Sequence, residues 1–298
     1  MTERKSIFVI RTLALLLSLL MACPALGDEK ISEEDALKSR ESATHVVTIL
    51  GRNYLYYAQN SPEWKNLVID SDPESKHIFG DSACMIAALA NCVANSINVW
   101  DMDRILYKTR YPVRIDTHSA VNGRGVGAAL KFEITEISDV LRYFPLVIGN
   151  YIGGGNNRTG ERNRKSSAFY RNVLDMFQLD WEKNGDITDA MHALDAGKMV
   201  IACSGGVRSV IAEGGHYFVL VGRKDGYVYV MDSYLRDSFP MDGGHLIEML
   251  EPGVWRFHEV DIYRIPILVR YIVTPNADRT IYTKAFLDDY LSRSNAHK

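Results

Sequence analysis

His216 and Asp232 stand at the two ends of a predicted β-hairpin, where their side chains could do chemistry together. Two apolar runs rich in valine and tyrosine, residues 217–222 and 227–231, flank a short polar loop. This pattern is typical of two antiparallel strands. If residues 223–225 form the loop, His216 lies directly opposite Asp232, and opposed residues share one face with Cβ atoms about 5 Å apart. An imidazole beside a carboxylate is a base with its orienting group, which predicts a nucleophile nearby.

Cys84 stands at the start of a predicted helix and is the candidate nucleophile. Asp81 or Ser82 can cap that helix, which places Cys84 in its first turn. Free backbone N–H groups and a partial positive charge at that end favour a thiolate. We expect Cys84 to attack, His216 to take its proton and Asp232 to orient His216, while helix-end N–H groups form part of an oxyanion hole. Apolar residues at helical spacing support the helix: Ile86, Leu89, Ala90, Val93 and Ile97.

Each of the three side chains also has an ordinary structural interpretation. A cysteine in an apolar helix is more often a small core residue than a nucleophile. A histidine at a strand end can simply be a buried, hydrogen-bonded residue, and Asp232 before Ser233 can begin a turn. The occurrence of all three in this order, on these elements, favours the catalytic interpretation.

The N-terminal segment predicts export. Basic residues precede an apolar run over residues 13–21, and small residues end the segment at Gly27. This arrangement is typical of a cleaved secretory signal peptide over residues 1–27, and the apolar run is too short to span a membrane. We expect a leader over residues 28–43 and a periplasmic or secreted protein. Alternatively, a lipobox ending at Cys23 would leave a lipidated cysteine and a membrane anchor.

The composition limits the class of protein. The chain has 298 residues and a net charge of −3, which becomes −5 without the three basic residues and one acidic residue of the signal peptide. A net negative charge argues against a nucleic-acid partner. The length suits one domain over residues 44–275 and a C-terminal tail over residues 276–298. Helical patterns come first and strand patterns last, which predicts an α+β fold rather than a parallel α/β sheet.

The cysteines favour free thiols over a metal site. The chain has four: Cys23, Cys84, Cys92 and Cys203. None has the C-x-x-C spacing of a zinc site, and we expect neither a metal nor a cofactor. Cys84 and Cys92 would lie about 12 Å apart along one helix, which is beyond the reach of a disulfide. Cys203 could pair with Cys92, or all three could be free.

Several segments together resemble the papain-like cysteine peptidases, within them the peptidases that process double-glycine leader peptides and their exported bacterial look-alikes. The resemblance extends over about residues 54–272 and is clearest around His216 and Asp232. It implies an α+β fold with the nucleophile helix packed on an antiparallel sheet, and hydrolysis of a peptide or protein substrate through a Cys84–His216–Asp232 triad. It is carried by Gln-Asn-Ser-Pro-Glu-Trp (59–64), Ser-Ala-Cys (82–84), Ala-Leu-Asp-Ala-Gly-Lys-Met-Val-Ile-Ala (193–202), Gly-His-Tyr-Phe-Val-Leu-Val-Gly (215–222) and Gly-Tyr-Val-Tyr-Val-Met-Asp (226–232).

The chain departs from the family at two points. Met85 and Ile86 follow the cysteine where the family usually has Gly-Pro, and Ile78 stands where the family commonly has its oxyanion glutamine. Gln59, reached by a different loop path, is the candidate to replace that glutamine. These departures keep two alternatives open: an inactive papain-like module that binds a peptide or envelope partner, and an acyl or glutamyl transferase with the same triad. The basic loop over residues 150–165 is either a solvated connection or a substrate-contacting lid.

Overall fold

The structure is a computed structural model, and all the residues it describes belong to one compact unit, Arg40–Lys298. The predicted signal peptide, the predicted leader and residues 152–165 of the basic loop lie outside the described residues. No helix among the described residues is long and apolar enough to cross a membrane. The described residues are 44–68, 78–108, 113–119, 129–134, 137–151, 167–183, 185–205, 209–212, 215–236, 238–239 and 243–295.

Strands and helices alternate irregularly along the described chain. The strands are β1 (Thr44–Ile49), β2 (Arg52–Tyr57), β3 (Leu67–Val68), β4 (Val113–Ser119), β5 (Ala129–Ile134), β6 (Asp180–Glu182), β7 (Met199–Ser204), β8 (His216–Lys224), β9 (Tyr227–Asp232), β10 (Ile247–Glu251), β11 (Val254–His258) and β12 (Ile267–Thr274). The α-helices are α1 (Phe79–Ser82), α2 (Cys84–Ala94), α3 (Val99–Lys108), α4 (Ile137–Arg142), α5 (Phe144–Tyr151), α6 (Ser167–Met176), α7 (Ile187–Asp195) and α8 (Lys284–Asn295).

A seven-stranded sheet forms the centre of the fold. Its strand order is β10-β11-β9-β8-β7-β12-β6, and every neighbouring pair in it is antiparallel. β1 and β2 form a separate hairpin, and β3, β4 and β5 form a small third sheet. Helices combined with antiparallel sheets make this an α+β protein, as the sequence predicts.

The core lies on both faces of the central sheet, because successive residues of a strand point to opposite faces. Val219 and Met231 contribute to a larger buried cluster that also contains α2 and the β1–β2 hairpin. Phe218 and Val230 contribute to a smaller cluster with α7. Every residue of α2 after Cys84 is buried, which explains why this helix is apolar on all sides.

Two asparagines fix α2 against β2. The carboxamide of Asn91 accepts a hydrogen bond from the N–H of Tyr57 (2.7 Å) and donates one to its carbonyl (3.0 Å). One helical turn later, Asn95 makes the same two bonds to Leu55, at 2.8 and 2.7 Å. A carboxamide carries the same donor and acceptor as a peptide group, so the pair satisfies backbone groups of β2 that burial would otherwise leave unpaired. The start of α2, and Cys84 with it, is thereby held in position.

The predicted register of the β8–β9 hairpin is wrong. Lys224 pairs with Tyr227 across a two-residue turn, and a bulge between Leu220 and Gly222 then shifts the pairing. Asp225 and Gly226 form that turn with φ angles of 52° and 78°. Asp-Gly suits a two-residue turn whose twist matches that of the strands, and the bulge accommodates the extra residue. As a result Phe218, not His216, lies directly opposite Asp232.

The predicted cap of the nucleophile helix is also wrong, although Cys84 lies in its first turn as expected. Asp81 and Ser82 belong to the separate short helix α1, and Ala83 is the N-cap residue of α2. No side chain caps α2. The chain turns directly from one helix into the next, so the residues that could have capped α2 are already helical.

The C-terminal segment takes part in the core. Tyr282, Leu287 and Tyr290 belong to the larger buried cluster, and the hydroxyl of Tyr282 donates to the carbonyl of Ala94 at the end of α2 over 3.1 Å. The packed part of the chain therefore continues beyond residue 275, where the sequence predicts a tail.

Candidate active site

His216 and Asp232 are hydrogen-bonded to each other at one end of the central sheet. His216 begins β8, Asp232 ends β9, and Nε2 of the imidazole bonds to Oδ1 of the carboxylate. Both side chains are buried, with 5% of the His216 side chain and none of the Asp232 side chain exposed. Because Phe218 occupies the position opposite Asp232, the contact is a diagonal one across the hairpin, which long side chains can bridge.

The Asp232 carboxylate has further partners beside the imidazole. The indole Nε1 of Trp255 donates to Oδ2 over 3.0 Å, and the backbone N–H of Tyr234 donates to Oδ1 over 3.0 Å. Nε of Arg236 lies 3.0 Å from Oδ2. Burial by itself raises the pKa of Asp232, but His216, Arg236 and Trp255 outweigh it and hold this pKa below its usual value. The carboxylate is therefore ionised and fixed in orientation.

Cys84 meets the same imidazole. The thiol interacts with His216 and with the backbone N–H groups of Tyr217 and Met85, and these interactions lower its pKa. Because Nε2 of His216 is hydrogen-bonded to Asp232, Nδ1 is the ring nitrogen left for the thiol. Burial raises the pKa of Cys84, but its interactions with His216 and with these N–H groups lower it overall. Burial lowers the pKa of His216, yet Asp232 and Cys84 raise it to about 9. Both shifts favour a thiolate–imidazolium pair.

The other described cysteines are different. Cys92 and Cys203 are buried, whereas Cys84 is partly exposed, and all three are free thiols. The possible Cys92–Cys203 disulfide is thus absent from the structure. Burial raises the pKa of Cys92 to about 12, and burial also raises the pKa of Cys203. Cys84 is the one thiol among these three that its surroundings bias toward the thiolate.

Gln59 lies between the segment before Cys84 and the segment after Asp232. Its backbone N–H donates to the carbonyl of Ser233 over 2.7 Å. Its Nε2 donates to the carbonyl of Gly80 over 2.6 Å, and the side chain is buried. A carboxamide nitrogen has two N–H groups, so this bond occupies one of them. The structure brings Gln59 to the same end of the sheet as the other three candidates, with its carboxamide bound to α1.

Sequence reasoning missed two partners of Asp232. Trp255 lies on β11, a strand that the sequence analysis did not predict, and pairs there with Val230. Arg236 follows Asp232 by four residues, in a loop with no recognisable pattern. Its guanidinium also donates to the carbonyl of Ile211 over 2.7 Å. An indole and an arginine near a buried carboxylate could have been suspected only after the strand order was known.

Among the described residues, no group of three or more histidine, cysteine, aspartate or glutamate side chains is arranged to hold a metal ion. Comparisons of the chain with models of protein families, with curated proteins and with solved structures found no match.

Proposed function

We propose that this protein is an exported cysteine peptidase, or a closely related amide hydrolase, with a papain-like fold. One observation carries the proposal: His216 and Asp232 form a buried hydrogen-bonded pair, and the same imidazole interacts with the Cys84 thiol at the start of a buried helix and lowers its pKa. A base between a nucleophile and an orienting group is the arrangement that covalent catalysis requires. The packing of α2 on an antiparallel sheet that carries His216 and Asp232 supports the papain-like assignment.

The first half of the reaction forms an acyl-enzyme. The Cys84 thiolate attacks the carbonyl carbon of a peptide bond, and the carbonyl electrons move to the oxygen. Backbone N–H groups at the start of α2 can stabilise that oxyanion, because the first turn of a helix leaves them without helical partners. The remaining N–H of Gln59 Nε2 is a second candidate donor. When the carbon–nitrogen bond breaks, the His216 imidazolium gives its proton to the leaving amine, which leaves a thioester on Cys84.

The second half regenerates the enzyme. Neutral His216 takes a proton from water, and the resulting hydroxide adds to the thioester carbon. Collapse of that intermediate breaks the carbon–sulfur bond, releases the carboxylic acid product and restores the thiolate beside the imidazolium. Asp232 keeps its negative charge throughout and holds the imidazole in place. If an amine replaces water in this half, the same residues transfer the acyl group instead of hydrolysing it.

One observation favours the inactive binding module instead. The carboxamide of Gln59 is engaged by the carbonyl of Gly80, and Met85 and Ile86 replace the family's usual Gly-Pro. A papain-like cleft with a weakened oxyanion hole could bind a peptide without cleaving it. This alternative predicts that the wild-type protein retains peptides intact.

Labelling with a peptidyl epoxide separates the two functions, because the epoxide needs an activated thiolate and a proton donor beside it. We expect the wild-type protein to be modified once, at Cys84, with peptide mapping by mass spectrometry as the readout. Cys92→Ala is the matched control and should be modified like the wild type, while Cys84→Ala and His216→Ala should stay unmodified. An epoxide that leaves folded wild-type protein unmodified, while the protein binds peptides, would establish the binding module.

A further inference from the structure

Three paired residues lie side by side on three neighbouring strands of the central sheet, beginning next to Cys84. Tyr217 on β8, whose backbone N–H helps to lower the pKa of the Cys84 thiol, pairs with Cys203 on β7. Cys203 in turn pairs with Leu268 on β12. Neighbouring strands lie about 4.8 Å apart, so a residue of β12 is about two strand spacings from the nucleophile.

A β-bulge places Arg270 at the end of this row. The pairing of β12 with β7 shifts between Val269 and Tyr271, which leaves Arg270 without an opposed residue. Bulges next to active sites commonly redirect a side chain. Here the guanidinium lies beside the thiol of Cys203 and the phenol of Tyr217. The bulge therefore directs a cation toward the Cys84 side of the sheet.

Arg270 has no carboxylate partner in the part of the chain that the structure describes. Its Nε is buried and makes no hydrogen bond there. The ionisable groups that interact with it include the thiol of Cys203 and three phenols, those of Tyr217, Tyr170 and Tyr271. A partly buried guanidinium without a counter-ion is unfavourable, and its planar N–H groups match a carboxylate in two-point geometry.

Aromatic rings shield this position. Tyr170, which is 4% exposed, packs its ring against Tyr217 at 5.7 Å and against Tyr271 at 4.9 Å between centroids. The three rings pack together, and all three phenols interact with Arg270, whose Nε is buried. An ion pair formed there would be less screened than one on the open surface.

We propose that Arg270 binds a carboxylate of the substrate, so that the site prefers peptides with a negative charge within about three residues of the scissile bond. This proposal rests on the proposed function of Cys84. The separation of about two strand spacings fits an extended peptide, which advances about 3.3 Å per residue. The carboxylate could be the free C-terminus of a short peptide or the side chain of an aspartate or glutamate.

A pair of alkylating probes tests this without requiring turnover. N-iodoacetyl-glycine and N-iodoacetyl-glycinamide differ only by a carboxylate and a carboxamide. The ratio of the rate with the acid to the rate with the amide is measured for Cys84 and for free cysteine. We expect this ratio to be roughly tenfold higher for Cys84, because a charge-assisted hydrogen bond contributes that much. Arg270→Gln should abolish the preference, measured as the ratio of the two rates, and Arg270→Lys should restore part of it. Lys224→Gln, an exposed cation at the other end of β8 from His216, should behave like the wild type.

A wild-type ratio equal to that of free cysteine would overturn the proposal, as would an equal loss of the preference in Lys224→Gln. Cys84 that reacts no faster than Cys92 with either probe would instead contradict the proposed function.

Peptide pools then distinguish the source of the carboxylate. Faster cleavage of free-acid peptides than of C-terminal amides supports a C-terminal carboxylate, and faster cleavage of glutamate than of glutamine peptides, both amidated, supports a side chain. Cleavage of all four pools at one rate would also overturn the proposal.

Discussion

The indole Nε1 of Trp255 donates to Oδ2 of Asp232 over 3.0 Å, while the imidazole of His216 bonds to Oδ1. The two oxygens of the carboxylate therefore have separate partners, on β11 and β8. Because the carboxylate is fully buried, few other orientations would satisfy both oxygens. Trp255 positions Asp232, which in turn positions His216, so one strand beyond the hairpin contributes to the site.

Replacement of Trp255 tests this relationship. We expect Trp255→Phe to lower kcat/KM about tenfold, since a hydrogen bond to a charged group contributes about 1.5–3 kcal/mol. A less firmly held carboxylate stabilises the imidazolium less, so the pKa of His216 should fall from about 9. The alkaline limb of the pH–rate profile should then move to lower pH. A purely structural effect would lower the amount of folded protein without moving that limb.

Trp181→Phe is the matched control for that experiment. Trp181 also donates through its indole to a carboxylate, that of Asp175 over 2.7 Å, but it lies on the edge strand β6, which three strands of the sheet separate from β9 and Asp232. Its replacement should leave the pH–rate profile unchanged. If Trp255→Phe gives the wild-type profile as well, Trp255 does not position Asp232.

Alkylation against pH should distinguish Cys84 from the other thiols. The pKa of Cys84 is lowered, whereas burial raises the pKa of Cys92 to about 12. The thiolate of Cys84 should persist as the pH falls below the usual thiol value of about 8.5 and disappear only below its own lowered pKa. We expect iodoacetamide to modify Cys84 first at neutral pH, with the modified residue identified by mass spectrometry. Slow labelling of all three thiols at equal rates would contradict the ion pair.

The Asn91 carboxamide should contribute to stability and, through α2, to activity. Asn91→Leu leaves the backbone N–H and carbonyl of Tyr57 without these partners, so we expect the free energy of unfolding to fall by about 2 kcal/mol. Urea denaturation measures this loss. Asn172→Ala, at an exposed position of α6, is the control and should change stability by no more than about 0.5 kcal/mol. Equal unfolding midpoints for Asn91→Leu and the wild type would show that β2 does not depend on this contact.

The N-terminus of the mature protein tests the predicted export. We expect expression in a bacterial host with a secretory pathway to give a processed protein that begins at Asp28, outside the cytoplasm, because small residues precede it at Ala25-Leu26-Gly27. Intact-mass spectrometry of the exported protein identifies the first residue. A mass that corresponds to a diacylated Cys23 would replace this prediction with a membrane-anchored lipoprotein, and an unprocessed cytoplasmic chain would contradict export itself.

The sequence was sufficient to predict the elements of the site but not its fine geometry. Two valine- and tyrosine-rich runs around a polar, glycine-ended loop identified the hairpin, and helical spacing with candidate caps placed Cys84 in the first turn of a helix. The register of His216 against Asp232 failed because Asp225 and Gly226 form a two-residue turn and a bulge between Leu220 and Gly222 shifts the pairing. Trp255 and Arg270 were missed because strand order and a second bulge, both set by tertiary packing, decide which side chains reach the site.

The central claim is that Cys84 attacks the substrate with the help of His216 and Asp232, and a hydrolysis assay on a pool of peptides tests it most directly. Wild type and Cys92→Ala should both cleave the pool. Cys84→Ala should abolish cleavage, His216→Ala should cost nearly as much, and Asp232→Asn should cost less because the imidazole can keep part of its orientation. Circular dichroism confirms that each variant is folded. Cleavage that continues at the wild-type rate in folded Cys84→Ala would contradict the account.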